Sequence, residues 1–207
     1  EWVGGGIGND LAVFVMSSGD TIVYEGDNPA SNWNLVGVYR IPDPLDIRAI
    51  TKVGGDLVVA TKGGIISMAA VSSAGQLEDK GVISDKINPA LIEKNNLSDP
   101  GWQLEYHPTY SQGRLLLLNI PNSTLDFDQY VMNADTLSWA RFKDVNARSW
   151  GRFNDGLYFG TTDGKVMKFD DGNADVAADI NGDAETAYSY FDARGVLKRC
   201  AALRPVL

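Results

Sequence analysis

A chain of 207 residues, 44% of them hydrophobic, can bury a substantial core, and its single cysteine, Cys200, excludes an internal disulfide framework and a cysteine-rich zinc site. The net charge of −9 argues against non-specific nucleic-acid binding, which needs basic patches that displace counterions. The longest aliphatic block, Leu115–Leu118, is far short of the ~20 residues of a membrane-spanning helix, so no membrane span is expected.

In chain order, the run Gly4-Gly5-Gly6-Ile7-Gly8 lacks phosphate-cradle spacing and no Gly-Lys-Ser/Thr follows it; it reads as a flexible loop. Leu11–Met16 and Thr21–Tyr24 read as a hairpin around Ser17–Asp20, because β-branched residues are bounded there by Ser, Gly and Asp. A polar loop is expected over Gly26–Asn34, then a strand over Leu35–Ile41 that Pro42 and Pro44 end. Ile47–Val53, Asp56–Thr61 and Ile65–Val71 follow as a meander. Residues 72–101 break the β pattern, and Asn88-Pro89 is a cap and first-turn pair for one short helix within an insertion near 84–96. Strands then resume at Trp102–Tyr106, Arg114–Ile120, Tyr130–Asn133 and Trp139–Phe142, with a loop at Pro121–Asp128 and a turn at Ala134–Leu137. Ala147–Phe153, Leu157–Thr161 and Val166–Phe169 form another meander, Asp170–Asp183 an acidic loop, and Ala187–Phe191 with Val196–Leu203 a last hairpin.

The pattern at Val53–Ser67 returns without a gap at Phe153–Met167, turn for turn and strand for strand. Over the wider window 46–71 and 146–171, the identical positions are Arg48/Arg148, Leu57/Leu157, Thr61/Thr161 and Gly64/Gly164. Neighbouring strands pair throughout and no βαβ crossover appears, so the expected fold is all-β: a β-propeller-like array of antiparallel meander blades, about four of them. Residues 1–185 would form the propeller or a fragment of it, with the insertion at 72–101, and residues 186–207 a hairpin leading toward another domain. A first residue of Glu1 instead of Met, and an end at Leu207 in mid-pattern, read as a piece of a longer polypeptide.

The chemistry-bearing residues are sparse. His107 is the only histidine, and no Gly-x-Ser-x-Gly motif or second histidine accompanies it, so it reads as a surface or packing residue. Asp179-Ile180-Asn181-Gly182-Asp183 begins like a calcium loop, but Ala184 and Tyr190 stand where an EF-hand needs glycine and a bidentate acid. Asp170 and Asp171 are adjacent acids on a glycine turn, without the defined separation that glycosidase chemistry needs. Cys200 reads as a small strand residue. No catalytic residue, metal ligand or cofactor is therefore assigned. Trp2, Trp33, Trp102, Trp139 and Trp150 read as anchors between blades or as a platform for a sugar or partner. Residues 186–207 carry +3, from Arg194, Lys198, Arg199 and Arg204 against Asp192, on a body of −12. Those four cations are the candidate contact with an acidic partner surface, including another copy of the chain.

The segments TIVYEGDNP (21–29), WNLVGVYRIPDPL (33–45), GGDLVVATKGG (54–64), ISDKI (83–87), QYVMNADTLSWARF (129–142), FNDGLYFGTTDGKV (153–166) and AYSYFDARGVLKRCAALRP (187–205) come in an order that resembles a family of tailed-phage and prophage structural proteins. The resemblance covers nearly the whole chain. It implies a propeller-like part of a short-tailed phage tail, of the nozzle or head-to-tail stabilising type, made in the host bacterial cytoplasm and located in the virion. It further implies no enzymatic activity, a homo-oligomeric ring (hexameric in such assemblies), and other tail or head–tail connector proteins as partners. Double-stranded DNA would at most pass nearby, without sequence-specific binding, and an acidic channel wall would let it slide. The alternative is a receptor- or glycan-binding propeller module of a phage tail, with a polysaccharide hydrolase behind it.

Overall fold

The computed structural model describes residues 2–3, 11–74, 81–95, 100–108, 113–123, 126–142, 145–172, 174–175 and 178–179. The chain divides into a compact unit, Glu1–Asp170, and a second unit, Asp171–Leu207. In the second unit a short antiparallel pair, Ala174–Asp175 with Ala178–Asp179, stands within the stretch expected to be an acidic loop.

The first unit is built from four antiparallel sheets, each a meander in strict chain order. The first sheet holds β1 (Trp2–Val3), β2 (Leu11–Val15), β3 (Asp20–Asn28) and β4 (Asn32–Arg40). The second holds β5 (Ile50–Val53), β6 (Asp56–Thr61) and β7 (Gly64–Ser67). The third holds β8 (Gln103–His107), β9 (Leu115–Ser123), β10 (Asp126–Asn133) and β11 (Ser138–Phe142). The fourth holds β12 (Ala147–Phe153), β13 (Gly156–Thr161) and β14 (Val166–Lys168).

Three expectations are corrected. The predicted loop at 26–34 is mostly strand, because β3 and β4 extend to a tight turn; bulges near Tyr24 and after Glu25 absorb the irregular residues. The predicted loop at 121–128 is likewise mostly strand: Pro121 pairs with Phe127 beside a register shift, the setting in which a strand tolerates proline. The predicted strand at 65–71 ends at Ser67, and Met68–Ala74 is a helix, α1, in addition to the expected one, α2 (Asn88–Asn95). Asp56 Oδ1 accepts from the Ala69 N–H at 2.8 Å and Ser67 Oγ from that of Ala70 at 3.2 Å, so α1 starts on two side-chain caps.

Strand alternation makes the sheets stack in series. In the second sheet, Leu57, Val59 and Ile66 pack toward Val13, Val23 and Ile41 of the first sheet and its exit, with Met68 and Val71 of α1 in the same layer. Their neighbours Val58, Ala60 and Ile65 face the other way, onto Leu104, Tyr106, Leu116, Leu118 and Ile120 of the third sheet, with Leu91 of α2. The opposite face of the third sheet, Leu115, Leu117 and Val131, packs on Ala147, Trp150 and Leu157 of the fourth.

The first strands of the last three sheets lie side by side. The Leu104 N–H on β8 donates to the Arg48 carbonyl just before β5 at 3.0 Å. On its other side, Gln103 bonds the Trp150 backbone of β12 in both directions, at 2.8 and 2.9 Å.

The repeated segments occupy the same place in the second and fourth sheets, and their four identities have separate causes. Leu57 and Leu157 are both buried, in the first and the last of the three layers of the stack. Thr61 Oγ1 donates to the Gly64 carbonyl and accepts from the Gly63 N–H; Thr161 Oγ1 donates to the Lys165 carbonyl and accepts from its N–H, so each hydroxyl clamps the second turn. Gly64 and Gly164 have φ of 117° and 84°. The carbonyls of Arg48 and Arg148 both accept bonds from the third sheet, from the Leu104 N–H and the Asn119 amide.

Candidate functional site

Three cross-strand partners on the third sheet, Gln103, Asn119 and Gln129, form a row of buried amides. Their side chains point at β12. Asn119 Nδ2 donates to the Arg148 carbonyl at 3.3 Å, and Gln129 Nε2 to Asn119 Oδ1 at 2.9 Å and the Ala147 carbonyl at 3.3 Å. The row joins two sheets by doing for β12 what a neighbouring strand would do. Spaced sixteen and ten residues apart along the chain, these amides have no local signature and sequence reasoning missed them.

His107 and Glu105 lie on the same face of β8, further along β12. Arg152 Nε is 3.3 Å from Glu105 Oε1. His107 is buried and its Nδ1 has no hydrogen-bond partner. Burial, and then the nearby Arg152 guanidinium, lower its pKa, with Asp170 opposing. Beside it Pro108, Arg152, Phe153, Asn154 and Asp155 line a shallow open depression of about 260 Å³. The lining offers no nucleophile matched to a base, so the geometry does not assemble a catalytic pair.

Asp128 is buried next to the amide row. Arg141 bonds one of its oxygens and Lys94 of α2 lies 3.2 Å from the other. Burial pushes the carboxyl up, but hydrogen bonds from Asn122, Arg141 and Lys94 outweigh it and hold the group below the usual carboxylate range. The cluster ties α2 to the third sheet.

The other residues singled out in the sequence do not converge. Asp170 and Asp171 are exposed. Of the calcium-like loop only Asp179 is among the described residues, and it pairs with Ala174. Arg194, Lys198, Arg199, Arg204 and Cys200 lie outside the described residues. Among those described, no group of three or more His, Cys, Asp or Glu is placed to hold a metal ion, and no helix is long and apolar enough to cross a membrane.

The tryptophans divide. Trp102 and Trp150 are buried anchors between sheets, and half-buried Trp139 donates its Nε1–H to the Ile83 carbonyl at 3.3 Å. Trp33 instead lies on the face of the first sheet turned away from the second. It stacks on Tyr24 at 5.5 Å between ring centroids, and Phe14 meets Tyr24 edge-on at 6.1 Å. Pairing puts Phe14, Ile22 and Val38 in one cross-strand row and Tyr24 and Leu35 in the next. Phe14, Leu35 and Val38 are 47%, 56% and 63% exposed. The charged pair at the end of this face, Asp20 and Arg40, is engaged internally at 2.6 Å. A contiguous apolar face of this kind fits a protein surface rather than a sugar, since it presents few free polar groups to hydroxyls. It is the strongest candidate for a functional surface.

Compared with known proteins, the chain matches no protein-family model and no curated protein.

Proposed function

We propose that the chain is a non-catalytic structural component of a phage tail, its four sheets serving as successive blades of a β-propeller. The observation that carries the architectural part is the stacking of four meanders with the first strands of three of them side by side, joined by Leu104–Arg48 and Gln103–Trp150. In a propeller each blade likewise contacts the blade on either side, and its first strand lines the middle. The phage assignment rests on the order of segments from TIVYEGDNP to the basic hairpin at 187–205. The chemistry of the described residues agrees with a scaffold: the buried amides bond backbone, the buried acid bonds two cations, and the most exposed apolar surface is suited to a protein neighbour. Within such a tail the partners would be connector or tail proteins and further copies of the chain.

Mass spectrometry of purified virions and of mature tails tests this reading. The protein should co-purify with particles in constant stoichiometry; its consistent absence from particles of a host that expresses it overturns the assignment. Turnover of polysaccharide by the purified chain would overturn the non-catalytic part.

A further inference from the structure

Gln103, Glu105 and His107 alternate along β8 and turn toward the fourth sheet. Two of the three are engaged by β12: Gln103 by the Trp150 backbone, and Glu105 by Arg152. The third is different. His107 is only 6% exposed, yet no protein group bonds its Nδ1. The seam between the third and fourth sheets is thus fastened at Gln103 and lacks that fastening at His107, beside the depression lined by Pro108, Arg152 and Asp155.

We propose that this seam opens locally at His107 when the imidazole takes up a second proton, while the buried amide row keeps the rest of it closed. Protonation makes both ring nitrogens donors and adds a charge, and the buried Nδ1 has no acceptor to meet it. Charged groups on each element packed against β8 bear on the ring: Glu105 on β8 itself, Arg152 on β12, Asp155 in the next turn, Asp170 after β14, Arg114 before β9 and Lys52 on β5. Glu105 is paired with Arg152, and Arg114 with Asp135. Arg152 acts against a charge on the ring and Asp170 in its favour. What covers this corner is light: Phe153 and the turn residues Asn154 and Asp155 are exposed, and β14 has three residues. Moving it gives water to the ring without disturbing Trp150 or Leu157 in the buried layer. In the open form the ring takes the ordinary histidine value of about 6.5, while burial, and then Arg152, hold the closed form lower. Acid therefore favours opening, at pH 5.5 by no more than about tenfold over neutral pH, since that is one unit below the ordinary value.

Amide hydrogen exchange of the 207-residue chain at pH 7.5 and 5.5, with the intrinsic rates divided out, tests this. Protection of the β12–β13 turn and of the Phe169 N–H, which bonds the Leu157 carbonyl, should fall about three- to tenfold in acid. The Trp150 N–H, held by Gln103, and the amides of β6 should keep theirs. His107→Gln carries no charge at either pH and should abolish the difference. Unchanged protection at the turn overturns the proposal, as does a fall shared by every sheet or one that persists in His107→Gln. Should that variant not fold, the wild type still decides, because its single histidine gives one imidazole resonance. That resonance and the Phe169 amide shift should titrate with one midpoint, and separate midpoints overturn the coupling. The virion assignment plays no part in these outcomes.

Discussion

The Gln103 side chain and the Trp150 backbone exchange hydrogen bonds in both directions: Nε2 donates to the Trp150 carbonyl, and Oε1 accepts from its N–H. One primary amide thus stands in for a strand at the junction of the third and fourth sheets, where both residues are buried.

Gln103→Leu keeps the volume and removes both partners of a buried peptide group. The loss should be about 2–4 kcal/mol, from two stranded backbone groups at the cost typical of each. Urea unfolding followed by tryptophan fluorescence measures it, and a loss under about 1 kcal/mol would show that the amide row adds little to the junction.

Gly64→Ala and Gly164→Ala should differ although the positions are equivalent in the repeat. Both residues have positive φ, which L side chains adopt at a cost of about 1–2 kcal/mol. At Gly64 the new carbon would also lie 2.7 Å from Asn88 Oδ1 and 2.8 Å from Ser84 Oγ, while at Gly164 it meets nothing within 4 Å. Ser84 Oγ also donates to Asn88 Oδ1 at 2.6 Å, so the clash reaches the start of α2. The midpoint of unfolding should fall further for Gly64→Ala; equal shifts would refute the argument.

The contrast shows how far the sequence could be read. The repeat, the meanders and nearly every strand were legible because alternation and turn residues are local. The start of α1 was not: Met68 and Val71 look like more strand, and the cap that turns the chain, Asp56, comes from across the sheet. Nor was the amide row, since Gln103, Asn119 and Gln129 become neighbours only through register. The outer face of the first sheet was half legible. Its alternation was visible, but which face met another sheet depends on the stack.

His107 should make stability fall as the solution is acidified below about pH 6.5, the ordinary histidine value. Its pKa is lowered in the fold, so between that lowered value and the ordinary one the unfolded chain binds more protons and stability rises with pH. Denaturation at pH 7.5 and 5.5 should show this slope in the wild type and a flatter one in His107→Gln. An unchanged slope would mean that another group is responsible.

Asp128 acts in a lower window. Its carboxyl is depressed in the fold, so its contribution is complete above the unfolded aspartate value near about 4 and is lost as pH falls through the depressed value. At neutral pH Asp128→Ala should cost about 1–3 kcal/mol, because it leaves Arg141 and the Asn122 amide without their acceptor and Lys94 without its counter-charge, though Lys94 keeps its bond to Asn122 Oδ1. The part-exposed cations can turn to solvent, which keeps the figure at that level. Chemical denaturation of Asp128→Ala at pH 7 and at pH 3 checks both: the difference from wild type should shrink in acid.

The serial stacking of sheets has a kinetic corollary. Within each of the first unit's four sheets the described strands pair in chain order, and the buried clusters join each sheet to the next, so order can spread along the chain one meander at a time, the longest connection to close being that between the second and third sheets. Amide hydrogens should then exchange slowest in the second and third sheets, which are supported on both faces. The first sheet, held on one face, should open ahead of them and leave the interior folded.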